Sequence, residues 1–178
     1  MALTKQEWLA LEKKANELRN LCLDTTYWAG SGHIGGGMSV MDMLAILYYK
    51  YMKYDVQNPN WEDRDRFILS KGHAGVALAS LVCHVGFDDK EKLKTFNLSN
   101  STMGIHLDSN KVKGVDASTG SLGHGLPIAL GTALASPDGG MRGRAFGKCL
   151  DHKGRTLVSG IGALTKETSE STLAPSII

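Results

Sequence analysis

Phe67-Ile68-Leu69-Ser70-Lys71-Gly72-His73-Ala74 is the stretch whose reading decides the fold. Its first four residues form a short apolar run, the pattern of a buried strand. Lys71-Gly72-His73 follows as a tight turn, and an Ala/Val/Leu-rich helix runs on to about Val85. Strand, glycine turn and apolar helix is the crossover unit of α/β proteins, whose ligands gather at the carboxyl ends of strands. The turn sets His73 at that end. His84 falls at the far end of the same helix and reads as a cap or surface residue.

Three more segments share the character of this turn: Ser31-Gly32-His33-Ile34-Gly35-Gly36, Gly104-Ile105-His106, and Ala117-Ser118-Thr119-Gly120-Ser121-Leu122-Gly123-His124-Gly125. Histidine beside glycine puts a titratable, hydrogen-bonding ring where backbone can approach a ligand closely. Taken singly, each histidine is more often structural than catalytic. Taken together, the four places read as one polar pocket built from several loops.

Working outward, Thr4-Lys5-Gln6-Glu7 has the form of a capping box. Trp8, Leu11, Ala15, Leu18, Cys22 and Thr25 then recur at helical steps, one buried stripe on a helix running to about Trp28. Gly30-Ser31-Gly32 stops it. Ser39 and Asp42 are placed to cap a second helix to about Met52, with Gly35, Gly36 and Gly37 just ahead of it. Those glycines suit either an anion at a helix start or a tight helix–helix turn. Residues 55–66 read as a surface loop, 88–96 as a short polar helix, and 98–121 as loop long enough to suggest function. Residues 122–135 form a helix with Pro127 in its first turn. Gly131, Ala133 and Ala135 suggest that this helix packs closely on its neighbours. Beyond Ser136 the character changes. Pro137-Asp138-Gly139-Gly140 is a turn, 141–153 is basic without a period, 156–162 fits one strand and its turn, and the Ser/Thr-rich end is expected to fray. The division is therefore 1–136 and 137–178.

Composition narrows the function classes. The chain has 178 residues, 20 of them Lys or Arg and 18 Asp or Glu, for a net charge of +2. That size suits one domain with a core, and the balance offers nothing to nucleic acid. Lys111 and Lys113, the densest basic spot near a glycine-rich segment, read as a solvated loop in preference to an anion site. The three cysteines, Cys22, Cys83 and Cys149, lack metal-ligand spacing and are odd in number, which fits a reduced, cytoplasmic compartment. Cys22 and Cys83 lie in apolar helical patterns and read as core. No apolar run approaches membrane-spanning length, and the amphipathic start is not a signal peptide.

Residues 4–135 resemble the N-terminal, diphosphate-binding part of transketolases. The resemblance is carried by Gly30-Ser31-Gly32-His33, by Asp63-Arg64-Asp65-Arg66-Phe67-Ile68-Leu69-Ser70-Lys71-Gly72-His73-Ala74, by His106, and by Gly114-Val115-Asp116-Ala117-Ser118-Thr119-Gly120-Ser121-Leu122-Gly123. The form Gly-His-Ile-Gly-Gly is most like split transketolases, whose N- and C-terminal halves are separate subunits. The resemblance implies an α/β fold, a parallel sheet with helices on both faces. It also implies thiamine diphosphate chemistry with magnesium, moving a two-carbon ketol unit between sugar phosphates in carbohydrate metabolism, the pentose phosphate pathway included. By position, His33 and His106 would hydrogen-bond substrate hydroxyls and assist proton transfers. His73 would lie by the diphosphate. Gly120, Ser121 and Leu122 would line the cofactor through backbone, with His124 behind them.

The resemblance breaks off where the family grips its metal. The family continues with an apolar strand ending in Gly-Asp-Gly-Glu and an Asn some thirty residues on, and Asp and Asn are the oxygen ligands for the cation. The best local match, Val158-Ser159-Gly160-Ile161-Gly162-Ala163-Leu164, puts Ile161 at the Asp and Ala163 at the Glu. The Asn would fall beyond Ile178. No metal ligand is therefore assigned, and the fold is expected to be incomplete. A truncated or frame-shifted product, altered near Ser136, is preferred to a degenerate paralogue. Such a chain would be inactive alone and would pair with a C-terminal transketolase half in an oligomer. The alternatives are a non-catalytic module that pairs with such a half and modulates its assembly, and a sugar-phosphate binder without cofactor.

Overall fold

The computed structural model describes residues 3–62, 64–135, 144–150 and 156–163. Helix α1 (Lys5–Ala29) begins with the expected capping box: Thr4 Oγ1 accepts from the Glu7 amide at 3.3 Å and the Glu7 carboxylate accepts from the Thr4 amide at 3.0 Å. Reciprocal bonds of this kind satisfy donors that the first turn leaves open, a contribution of about 1 kcal/mol. The helix ends on Gly30, whose φ of 64° is the left-handed conformation that glycine adopts without strain. Its stripe of Leu11, Ala15, Leu18, Cys22 and Thr25 is buried, whereas Trp8 is 53% exposed, because the first turn projects past the edge of the core.

The next segment departs from expectation. Gly35, Gly36 and Gly37 are not a lead-in; they lie inside a short helix, α2 (Ile34–Met38). Packing accounts for Gly37, where a Cβ would stand 3.2 Å from Cys22 Sγ and 3.4 Å from Val76 Cγ1. Helix α3 (Met41–Ile46) follows and widens into a π turn over Leu47–Tyr51. Ser39 and Asp42 do not cap it. The Ser39 hydroxyl donates to the Gly36 carbonyl at 3.1 Å, and Asp42 pairs with Arg19 of α1 at 2.5 Å.

A 3-10 turn (Gly72–Ala74) leads into α4 (Gly75–Val85), the centre of the molecule. Gly75 through Cys83 are all buried, as befits a helix that is apolar on every side. It packs against α1 and α2, and the core continues through Met41, Leu44, Leu93, Phe96 and Met103. Burial pushes the Cys22 thiol up to about 11 and the Cys83 thiol up to about 12. The polar helix expected at 88–96 is a 3-10 turn, Lys90–Thr95.

His84 is neither cap nor surface residue. Its Nδ1 lies 2.5 Å from Tyr49 Oη, on the π turn, and its Nε2 lies 3.5 Å from Glu17 of α1. Three elements therefore meet at one ring. Desolvation pulls its pKa down, with Lys90 and Lys14 adding to the effect.

Residues 98–121 are loop, and Lys111 within them is exposed beside Asp108 at 3.6 Å. Helix α5 (Gly125–Leu134) closes the helical part. The close packing expected of Gly131 is absent: nothing comes within 4 Å of where its Cβ would be, and Ala135 is exposed. Phe67, Ile68 and Leu69 are buried, yet they form no ladder with any described strand. The described strands are instead an antiparallel pair, β1 (Arg144–Leu150) and β2 (Thr156–Ala163), in register from Arg144 opposite Ala163. The basic stretch without a period thus contributes β1, and the strand expected at 156–162 is β2. The turn at residues 137–140, the tail from 164, and the side chains of Cys149, Ile161 and Ala163 lie outside the described residues.

Candidate functional site

Three glycines fix the loops that carry the histidines. A Cβ on Gly72 would lie 2.3 Å from the Thr119 carbonyl oxygen. One on Gly75 would lie 2.2 Å from the Ile105 carbonyl oxygen, and one on Gly125 would lie 2.4 Å from Ser70 Cα. Segments 70–75, 105–107 and 119–125 are therefore in backbone-to-backbone contact that any side chain would prevent. Thr119 adds a bond from its hydroxyl to the Leu69 carbonyl at 2.6 Å. Asp116 anchors the same loop from below. Its Oδ1 is 2.5 Å from Arg64 Nη2, and its Oδ2 accepts from the Phe67 amide at 2.7 Å.

This seam brings the expected residues together. The rings of His33 and His73 sit edge to face with centroids 5.3 Å apart. His33 precedes the first turn of α2, and its loop is held by Asn97, whose amide donates to Ser31 Oγ at 2.9 Å. Gly120 lies over the His106 ring, a Cβ there coming 3.7 Å from Cδ2. His33 and His106 are exposed and His73 is half-buried. The pKa of His73 is drawn below the ordinary imidazole value, first by desolvation, then by the positive charge of Lys71, His33 and His106. His73 is thus a neutral donor–acceptor near pH 7. Ser121 and Leu122 continue from Gly120 along an exposed turn, in which the His124 amide donates to the Ser121 carbonyl at 3.3 Å. His124 is exposed at the entry to α5.

Two contributors escaped the sequence reading. Lys71 acts on His73 although it stood only as part of a motif, and the Arg64–Asp116 pair spans residues first assigned to a surface loop. Position immediately before Gly72-His73 is the one signal that pointed to Lys71. Among the described residues no group of three or more His, Cys, Asp and Glu is placed to hold a metal ion, and no helix is long and apolar enough to cross a membrane.

The transketolase, thiamine diphosphate binding domain family matches residues 11–148. The 6-deoxy-6-sulfo-D-fructose transketolase subunit of Clostridium sp. (strain MSTE9) is 41% identical over 130 residues, 73% of this chain and 47% of that protein. Transketolase of Rhodobacter capsulatus is 33% identical over 174 residues, 97% of this chain and 25% of that protein. The solved transketolase from Leishmania mexicana superimposes with a TM-score of 0.72 at 33% identity, over 79% of this chain and 23% of that one. The chain thus spans half or less of the length of these relatives, and the similarity runs past Ser136. With sequence and structural likeness covering most of its length, the chain belongs to the transketolase family, as an N-terminal, thiamine diphosphate binding domain.

Proposed function

We propose that the chain is the cofactor-binding part of a split or partial transketolase, completed by a C-terminal half that it meets in an oligomer. The observation that carries this is the nearness of His33 to His73 and of the Gly120 turn to His106, with His33 and His106 both acting on His73. The donor set fits a diphosphate: a neutral imidazole, a lysine nearby and a glycine turn offering backbone. Thiamine diphosphate, when bound, supplies the carbanion chemistry for moving a two-carbon unit.

The chain's own residues bind and orient. His73 would donate to a diphosphate oxygen, and the Gly120, Ser121 and Leu122 backbone would hold the cofactor. His33 and His106 would hydrogen-bond the hydroxyls of a sugar phosphate and assist proton transfers there. No metal ligand is assigned, so no step is routed through magnesium, and this reading expects binding of the cofactor by this chain alone not to depend on metal. The parallel sheet belongs to the same reading, with Phe67, Ile68 and Leu69 as one strand awaiting neighbours. So do the division near residue 136 and a cytoplasmic, pentose phosphate setting.

Calorimetry with thiamine diphosphate tests the assignment. Wild type binds, magnesium does not tighten it, and His73→Ala weakens it roughly tenfold or more, the worth of one hydrogen bond to a charged group. No binding by wild type overturns the pocket; micromolar binding that a chelator abolishes overturns the metal statement. The exposed Leu122, Ile128 and Leu130 favour a second reading, a non-catalytic module that docks on a transketolase half. A mixture with a C-terminal half separates the two, since ketol transfer that appears on mixing supports the first and association without turnover supports the second.

A further inference from the structure

Ser31 stands between Gly30 and Gly32, two positions before His33. Glycine on both sides leaves this stretch of backbone with wide conformational freedom, and Ser31 itself is exposed. The direction of the His33 ring therefore has to be fixed from outside its own loop. Among the described residues, the side-chain hydrogen bond that reaches residues 30–33 comes from Asn97, whose amide donates to Ser31 Oγ at 2.9 Å.

The backbone of Asn97 sets up this reach. Its φ is 57°, the left-handed conformation that asparagine tolerates better than other residues with a side chain. Its main-chain N–H donates to the Met103 carbonyl at 2.7 Å, and Met103 and the adjacent Phe96 are fully buried. His106 comes three residues after Met103, on a segment already fixed by close approach. A Cβ on Gly75 would meet the Ile105 carbonyl oxygen at 2.2 Å, and one on Gly120 would meet His106 Cδ2 at 3.7 Å. Asn97 thus has its main chain tied to the rigid, His106 side and its side chain on the free, His33 side.

We propose that Asn97 is a positioning residue, which holds the His33 loop at a set distance from the His106 segment so that both imidazoles can engage one sugar phosphate. The inference rests on the proposed function and adds to it the residue that spaces the two hydroxyl-binding histidines. Asn97 acts through Ser31 and touches no reacting atom.

The test uses the 178-residue chain with Asn97→Gly, Asn97→Asp and Ser31→Ala. Glycine keeps the left-handed backbone and removes the amide. Aspartate keeps a bond in the opposite sense, the Ser31 hydroxyl donating to the carboxylate. The imidazole signals of His33 and His106 are followed by NMR without ligand. Fructose 6-phosphate is then titrated with thiamine diphosphate present, and each variant is melted. Asn97→Gly and Ser31→Ala are expected to move the His33 signals, to leave those of His106 in place, and to weaken fructose 6-phosphate about fivefold, the scale of one hydrogen bond. The double variant is expected to lose no more than either alone, and Asn97→Asp to restore both signals and affinity. His33 signals that stay put in Asn97→Gly overturn the proposal, and so does a loss of affinity that follows melting temperature and ignores those signals. Undiminished fructose 6-phosphate binding in variants whose His33 signals move also sinks it, while sparing the proposed function. A wild type that binds no fructose 6-phosphate removes the sugar reading and the inference with it.

Discussion

Arg64 and Asp116 bring opposite charges to a place where their side chains are only 9% and 6% exposed. The carboxylate divides its work between the guanidinium and the Phe67 amide, so one side chain ties the apolar run to the loop that leads to Gly120. Removing one member of such a pair strands the other without water, at a cost of about 3–5 kcal/mol. Asp116→Asn is expected to lose stability on that scale in urea denaturation, and Arg64→Met combined with Asp116→Asn to lose less than the sum. If the losses simply add, the two side chains do not act as a unit. The run Asp63-Arg64-Asp65-Arg66 reads as a solvated loop because charge is normally exposed, and linear sequence gives no sign of a partner fifty positions on. The histidines were legible for a different reason: glycine within two positions of each one announces close backbone approach, which is a local property.

Among the elements, α1 was open to reading almost to the residue, since its capping box, stripe and glycine stop are all short-range signals. The π turn was not, because an inserted residue leaves no mark in a periodic pattern. It carries Tyr49 to His84, and the burial of that ring has a pH signature. His73 and His84 both have folded-state pKa values drawn below the ordinary imidazole value, mainly by desolvation. The unfolded chain therefore takes up protons first, so the stability these groups contribute is present above pH about 6.5 and is lost as pH falls through their folded values. Melting temperature is expected to drop from pH 7 toward pH 5 and to drop less steeply in His84→Gln; equal slopes would dismiss this role for the ring. Glycines differ just as sharply by site. Gly72→Ala forces a methyl onto the Thr119 carbonyl and is expected to cost about 1–3 kcal/mol. Gly131→Ala meets open space within α5 and is expected to stabilise by about 0.5–1 kcal/mol. Thermal melts of the two variants, moving in opposite directions, check both statements.

For the whole molecule, most of the helical part and the strand at 156–162 were legible, and the pairing of strands was not. A strand is defined by what pairs with it, and Phe67, Ile68 and Leu69 acquire no described partner, while β1 and β2 pair with each other. Helix α5 keeps apolar side chains in solvent. Ile128 and Leu130 are 39% and 49% exposed on a helix whose composition is that of a buried one. Such a surface favours association over a stable monomer. Sedimentation is expected to show concentration-dependent assembly that Leu130→Glu weakens, with a low melting temperature for dilute protein. A cooperative, high-temperature transition in a strict monomer would contradict this.

The glycine seam carries one last consequence, for the order of folding. His33, Gly72, Ile105, Thr119 and Gly125 lie far apart along the chain, and their contacts form only when all the intervening segments are in place. No partly formed chain owns this meeting of segments, so loop closure on this scale comes late. A small molecule seated there clamps distant parts of the polypeptide at once, and heat resistance should climb with its concentration.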